Sequence, residues 1–261
     1  MKTILKSLRS FVQIFNLKTL IVTFLSMLLT YLCMHFNITA NIPQFVIGIA
    51  VVFPIVFSIS SAFQRRENAL KDYSCLKANS RSIYLSARDW FEDKNPEQLE
   101  KARNVIQKLL ISIRICLAVK KKVRQAKECD VYEHFSELSM FIKDLRLRGM
   151  VAGELSRVNQ YLCKMVEAFE NMKHVSEYRT PVTLRAYSRI FIVVTPLIYS
   201  PYFAFEGMKM NDIYLALITP FLTSIVLVGL DNIQDDLEKP FDQIGEDDIF
   251  IHAENLTKSF D

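Results

Sequence analysis

Ile49, Phe53 and Phe57 recur at every fourth residue within the stretch IPQFVIGIAVVFPIVFSISSAFQRR, which is apolar from Ile42 to Phe57. At 3.6 residues per turn this spacing draws one slowly winding stripe along a helix. Large apolar side chains in such a line can wall a pore, because a hydrophobic constriction gates by excluding water. They can equally form a packing stripe, since membrane spans are apolar on every side. Periodicity alone does not separate the two. After Phe57 the stretch turns small and hydroxylated through Ser58, Ser60, Ser61 and Ala62, then meets Arg65 and Arg66.

A second concentration of reactive groups follows the last apolar run, in DNIQDDLEKPFDQIGEDDIF. Asp231, Asp235 and Asp236 have the makeup of a magnesium-diphosphate site, in which several carboxylates hold metal on a phosphate. Membrane prenyltransferases of that kind need a second Asp-rich motif and more spans, and this chain has neither. No glycine-rich nucleotide loop is present. His35, His134, His174 and His252 are scattered, with no paired spacing for zinc. Cys33, Cys75, Cys116, Cys129 and Cys163 show no CxxC spacing and are expected as reduced thiols. The chain reads as a protein that is not an enzyme.

The elements that must carry these residues are helices, so the fold class is all-α. Between Lys18 and Arg65 there is no Asp, Glu, Lys or Arg. A bilayer core of about 30 Å needs roughly 20 apolar residues per crossing, so that run supplies two spans. They are Thr19 to Phe36 and Ile42 to Phe63, joined by an uncharged turn. Two later runs, Ile190 to Phe205 and Ile213 to Leu230, bring the expected total to four spans. Pro196, Pro201 and Pro220 remove backbone donors there, which predicts kinked or broken helices.

The remaining segments complete the domain plan. Residues 1–18 place Ile4, Leu8, Phe11 and Phe15 on one side and Lys2, Lys6 and Arg9 elsewhere, as in an interfacial helix. Residues 19–63 hold the first two spans, 64–183 a long helical insert, 184–230 the last two spans and 231–261 an acidic tail. Basic residues precede the first span and follow the second while the turn between them is uncharged, so both termini and residues 64–183 are expected in the cytoplasm, with the protein in the plasma (inner) membrane.

Within the insert, three apolar stripes at helical spacing predict a bundle. One runs through Ala102, Ile106, Leu109, Ile113 and Cys116, with Asn95-Pro96 at its start; a second through Phe135, Leu138, Phe141 or Ile142, and Leu145; a third from Val151 and Leu155 through Val158, Leu162, Met165 and Phe169 to Met172. Breaks are expected at 94–96, 129–130 and Gly149. The basic run Lys120, Lys121, Lys122, Arg124 lacks interleaved aromatics and reads as a solvated face, not a nucleic-acid site.

IGIAVVFPIVFSISSAFQRRENA resembles the second span of the bestrophin family, where an apolar helix with Ile and Phe at i, i+4 and i+8 runs into a small, polar and basic segment. DDLEKPF resembles that family's acidic-Pro-Phe signature just after the last span. The chain departs from the family in lacking the tryptophan-bearing positions after the neck, in placing Pro54 inside the stripe, and in delaying glycine after Phe241 to Gly245. It is similar to a divergent, prokaryotic-type member.

The resemblance implies a homopentameric channel in the lipid bilayer, passing monovalent anions, chloride above all, along a fivefold axis lined by the second span. Ile49, Phe53 and Phe57 fall on its hydrophobic neck, and Val182, in Thr180-Pro181-Val182, on a lower constriction. Arg65 and Arg66 would attract anions. No cofactor is required. Glu246, Asp247 and Asp248 resemble the cluster with which animal members bind calcium, a dependence that prokaryotic relatives lack. The tail is otherwise expected to wrap a neighbouring subunit through Pro240 and Phe241. The alternatives are a membrane-anchored receptor or scaffold without a pore, and a cation-permeable bestrophin relative.

Overall fold

A computed structural model describes residues 16–42, 44–92, 95–119, 121–178, 181–244, 247–258 and 260; of residues 44–47, 49, 50, 121 and 122 it describes the backbone. The interfacial segment expected at 1–18 therefore lies almost wholly outside the described residues. Those described form helices and connecting turns: α1 (Leu17–His35), α2 (Gln44–Asp89), α3 (Pro96–Ala118), α4 (Lys121–Leu147), α5 (Ala152–Glu177), α6 (Val182–Ile198), α7 (Ser200–Met210), α8 (Ile213–Leu237) and α9 (Ala253–Lys258). Two compact units result, one of residues 1–63 and 180–238, the other of 64–179 and 239–261.

The first unit holds the apolar helices. Leu17–His35, Val182–Met210 and Ile213–Leu237 are each long and apolar enough to cross a membrane, three candidate spans among the described residues. Helix α1 begins where the Asn16 side chain accepts from the Thr19 amide. Thr19, Thr23, Ser26 and Thr30 are buried, while Leu20, Phe24 and Leu28 are exposed. This is the inverse of a water-soluble helix: small hydroxyl residues permit close helix contact, and bulky ones face outward. Ser26 Oγ donates to the Pro196 carbonyl at 2.9 Å, joining α1 to the end of α6.

Proline acts there as the sequence predicts, and the run expected as one span from Ile190 to Phe205 is broken at Tyr199 into α6 and α7. A left-handed Asn211 ends α7, and Asp212 caps α8 by accepting from the amides of Tyr214 and Leu215. The two helices meet so closely that a Cβ built on Gly207 would fall 2.2 Å from Ala216 Cβ. Helix α8 runs past Leu230 to Leu237, so the acidic segment expected from Asp231 begins inside a helix.

The second unit confirms the three stripes. Ala102, Ile106, Leu109, Ile113 and Cys116 are buried, as are Phe135, Leu138, Phe141, Ile142 and Leu145. Val158, Leu162, Met165, Phe169 and Met172 form the third, but Val151 is 67% exposed because it is the N-cap residue of α5 and Leu155 is half-buried. Asn95 caps α3 with Pro96 in its first turn, as its sequence indicates. Gly149, at φ 95°, supplies the left-handed turn between α4 and α5.

Three expectations fail in this unit. No break occurs at 129–130, where neither Cys129 nor Asp130 interrupts α4; the chain turns at Val119 instead. The reason is Arg124, which is buried and donates to the carbonyls of Cys116 and Val119, at 3.2 and 2.9 Å, at the end of α3. Arg124 thus does not belong to a solvated face. Phe241, expected to reach a neighbouring subunit, is buried in this chain's own core with Ile249 and Ile251. Further along the tail, Phe260 stacks on Tyr84 with ring centroids 4.7 Å apart.

Candidate functional site

Helix α2 carries the predicted neck on its exposed side. Val51, Ile55, Ser58 and Ala62 are buried, and the first two join Val22, Ile192, Leu227 and Val228 in the core of the first unit. Phe53 and Phe57 point the other way, 55% and 62% exposed, with Val52, Val56 and Phe63 beside them. Their rings lie one turn apart, centroids separated by 6.0 Å and planes inclined by 31°. Neither ring is part of this chain's core. Ile49 is helical, and its side chain lies outside the description.

Val182 opens α6 directly after the cap residue Pro181 and is 69% exposed. Thr180, its partner in the motif, lies outside the described residues. Both arginines after the neck are engaged with backbone oxygens of the second unit. Arg65 Nη2 donates to Val175 O at 2.7 Å and to Tyr178 O, at the end of α5. Arg66 Nε donates to Asp247 O at 2.7 Å, and its Nη1 to Glu67 at 2.8 Å. Acceptors so remote in sequence leave no local motif, which is why sequence reading misses them.

The acidic residues divide into two groups. In the first unit, Asp231 is 1% exposed and pairs with Lys18, while Arg189 Nη2 meets both oxygens of Asp235 at 2.7 Å. Arg185 Nη1 meets Glu238 at 2.7 Å, and Gln234 donates to the same carboxylate at 3.3 Å. The chain's own cations thus pair with Asp231 and Asp235. Arg185 and Arg189, one turn apart on α6, were the available signal for this network.

In the second unit, Asp248 is buried and hydrogen-bonds Asp242. The amide of Ile244 donates to both carboxylates, at 3.0 Å to Asp248 and 3.2 Å to Asp242. Burial, and then the neighbouring Asp242, push the Asp248 carboxyl up to about 6. Among the described residues no group of three or more acidic, histidine or cysteine side chains could hold a metal ion. Calcium takes six to eight oxygen ligands, and of the three acidic residues expected to supply them Asp248 is buried, Asp247 is exposed and Glu246 lies outside the described residues.

No family model matches the sequence, and no curated protein matches it significantly. Solved structures do match in fold. A bacterial bestrophin homolog from Klebsiella pneumoniae aligns over 93% of this chain and 94% of its own, with a TM-score of 0.70 at 12% identity. A point mutant of the Klebsiella pneumoniae homolog gives 0.69 over 93% and 96%, at 13% identity. A crystal structure described as that of a membrane protein gives 0.69 over 94% and 96%, at 12%. In its backbone, then, this chain has the fold of the bacterial bestrophin homologs.

Proposed function

We propose that this chain is the subunit of a homopentameric anion channel of the plasma (inner) membrane. Residues 42–63 form the second of four crossings and line a central axis, and both termini and residues 64–183 lie in the cytoplasm. The observation that carries the reading is the division of α2 into two faces. Val51 and Ile55 are packed inside their own unit while Phe53 and Phe57 are left without an intrachain partner shell. On a membrane helix such side chains can meet lipid, as Leu20 and Phe24 of α1 do in the same reading, or copies of the same helix around an axis. The bestrophin-like fold supports the arrangement around an axis.

In this arrangement Ile49, Phe53 and Phe57 form a narrow hydrophobic neck. When closed it excludes water; when open, ring edges carrying partial positive charge tolerate a monovalent anion such as chloride with part of its hydration shell. Val182 forms a second constriction, and the guanidinium charges of Arg65 and Arg66 raise the local anion concentration although their N–H groups are already bonded. Transport is passive and needs no cofactor.

The test is reconstitution of the full chain in liposomes under a chloride gradient. Wild type is expected to conduct with a reversal potential of the anion sign, and Phe53→Ala to widen the neck and raise the basal flux. A reversal potential of the cation sign would replace anion by cation passage. Silent vesicles containing folded protein would leave a receptor or scaffold.

A further inference from the structure

Arg65 and Arg66 are the basic residues nearest the neck in sequence, yet both guanidinium groups are committed to the backbone of their own unit. Another cation occupies the open face of the same helix. Between residues 64 and 83, α2 buries Ala69, Tyr73, Leu76, Ser80 and Ile83, and exposes Gln64, Asn68, Lys71, Ser74, Ala78 and Arg81. The exposed set advances by steps of three and four, so it is one continuous stripe. Lys71 and Arg81 are its charges; Lys71 stands nearer the apolar run, and Arg81 has a partner of its own.

The neighbouring ionisable groups have other partners. Glu67, one turn before Lys71, accepts from Arg66. Asp72 accepts from Asn171 of α5 at 3.3 Å. Lys77 lies over the Tyr73 ring, 4.7 Å from its centroid. Among the described residues no carboxylate pairs with Lys71. Lys71 also follows Phe53 by eighteen residues in the chain, five turns at 3.6 residues per turn.

We infer that Lys71 is a further residue, beside Arg65 and Arg66, that sets the preference for anions on the cytoplasmic side of the neck. The inference rests on the transport reading above. Five copies bring five ammonium groups to the axis, flanked by the neutral amides of Gln64 and Asn68. A lysine suits this task because its compact, strongly hydrated charge rides on a flexible stem. It attracts a hydrated anion by its field without binding it tightly, while the neck provides the dehydration barrier. The effect is long-ranged and must fade with salt.

Full-length wild type, Lys71→Gln and Lys71→Glu are compared in liposomes by reversal potential and anion conductance. Lys101→Gln is the control, an exposed lysine of α3 paired with Asp144. Lys71 is exposed, so its variants are expected to fold and to elute with wild type. At roughly 0.05 M salt, Lys71→Glu is expected to lower anion conductance about three- to tenfold and to move the reversal potential toward cations, with Lys71→Gln between it and wild type. The differences shrink toward 1 M, where the screening length is about 3 Å. A conducting wild type matched by both Lys71 variants at low salt overturns this inference and leaves the channel standing. An equal loss in Lys101→Gln overturns it too, by tracing the effect to overall surface charge. A silent wild type removes the transport reading and this inference together.

Discussion

Arg66 donates from Nε to the main-chain carbonyl of Asp247 at 2.7 Å, fastening the C-terminal segment to α2 only a few residues after the apolar run ends. The Arg66 side chain is mostly shielded from solvent, so this charge-assisted bond is stronger than an exposed ion pair. Arg66→Ala is expected to cost about 2 kcal/mol. It should also speed proteolytic cleavage around residues 242–248. Unchanged cleavage kinetics would mean that Phe241, Ile249 and Ile251 hold the segment without help from the arginine.

Asp231 is the buried centre of the first unit's ion pairs. Asp231→Ala releases Lys18 and part of the Arg189 interaction, and because both cations are partly exposed the expected cost is about 1–2 kcal/mol. The double change Lys18→Met with Asp231→Leu removes both charges and should recover much of that loss, because apolar packing can replace a buried pair. Thermal unfolding of the detergent-solubilised protein reads both effects. A double variant no more stable than Asp231→Ala would show that the network does more than neutralise itself.

Asp248 gives the second unit a pH dependence of defined sign. Its folded value of about 6 lies above the roughly 3.9 of a free aspartate, so the folded segment holds the proton more tightly than the unfolded chain. The resulting stabilisation is complete below about pH 4 and is lost as pH rises through about 6. Asp248→Asn keeps a neutral side chain throughout, so its unfolding midpoint should gain on wild type between pH 4.5 and pH 7.5. Parallel curves for the two proteins over that range would refute the assignment.

Cysteine reactivity separates core from surface. Burial pushes the Cys116 thiol up to about 11, whereas Cys129 and Cys163 are exposed. In single-cysteine versions at neutral pH, maleimide should label positions 129 and 163 readily and leave 116 unmodified until denaturant is added. Rapid labelling of Cys116 in the folded protein would contradict the packing of α3.

What could be read from sequence depended on whether the signal was local. The stripes of α3, α4 and α5 were legible because one buried face imposes a 3.6-residue period on neighbouring positions. Pro196 likewise announces the break at Tyr199 within a few residues of it. The turn at Val119 was not legible, since its stabilising group is a guanidinium inside what reads as a basic patch. Nor were the acceptors of Arg65, the first of them 110 residues away in the chain. For the neck, spacing located Phe53 and Phe57 but left packing and pore lining equally open. Their exposure in the folded chain removes both rings from this chain's own core.

The contact between Gly207 and Ala216 has a consequence for how this hairpin can change over generations. With a Cβ at 207 falling 2.2 Å from that of residue 216, position 207 cannot gain so much as a methyl group alone without prising α7 from α8. Drift here must proceed in compensated steps, such as Ala216→Gly preceding Gly207→Ala. In a set of related chains, these two sites should vary together or not at all.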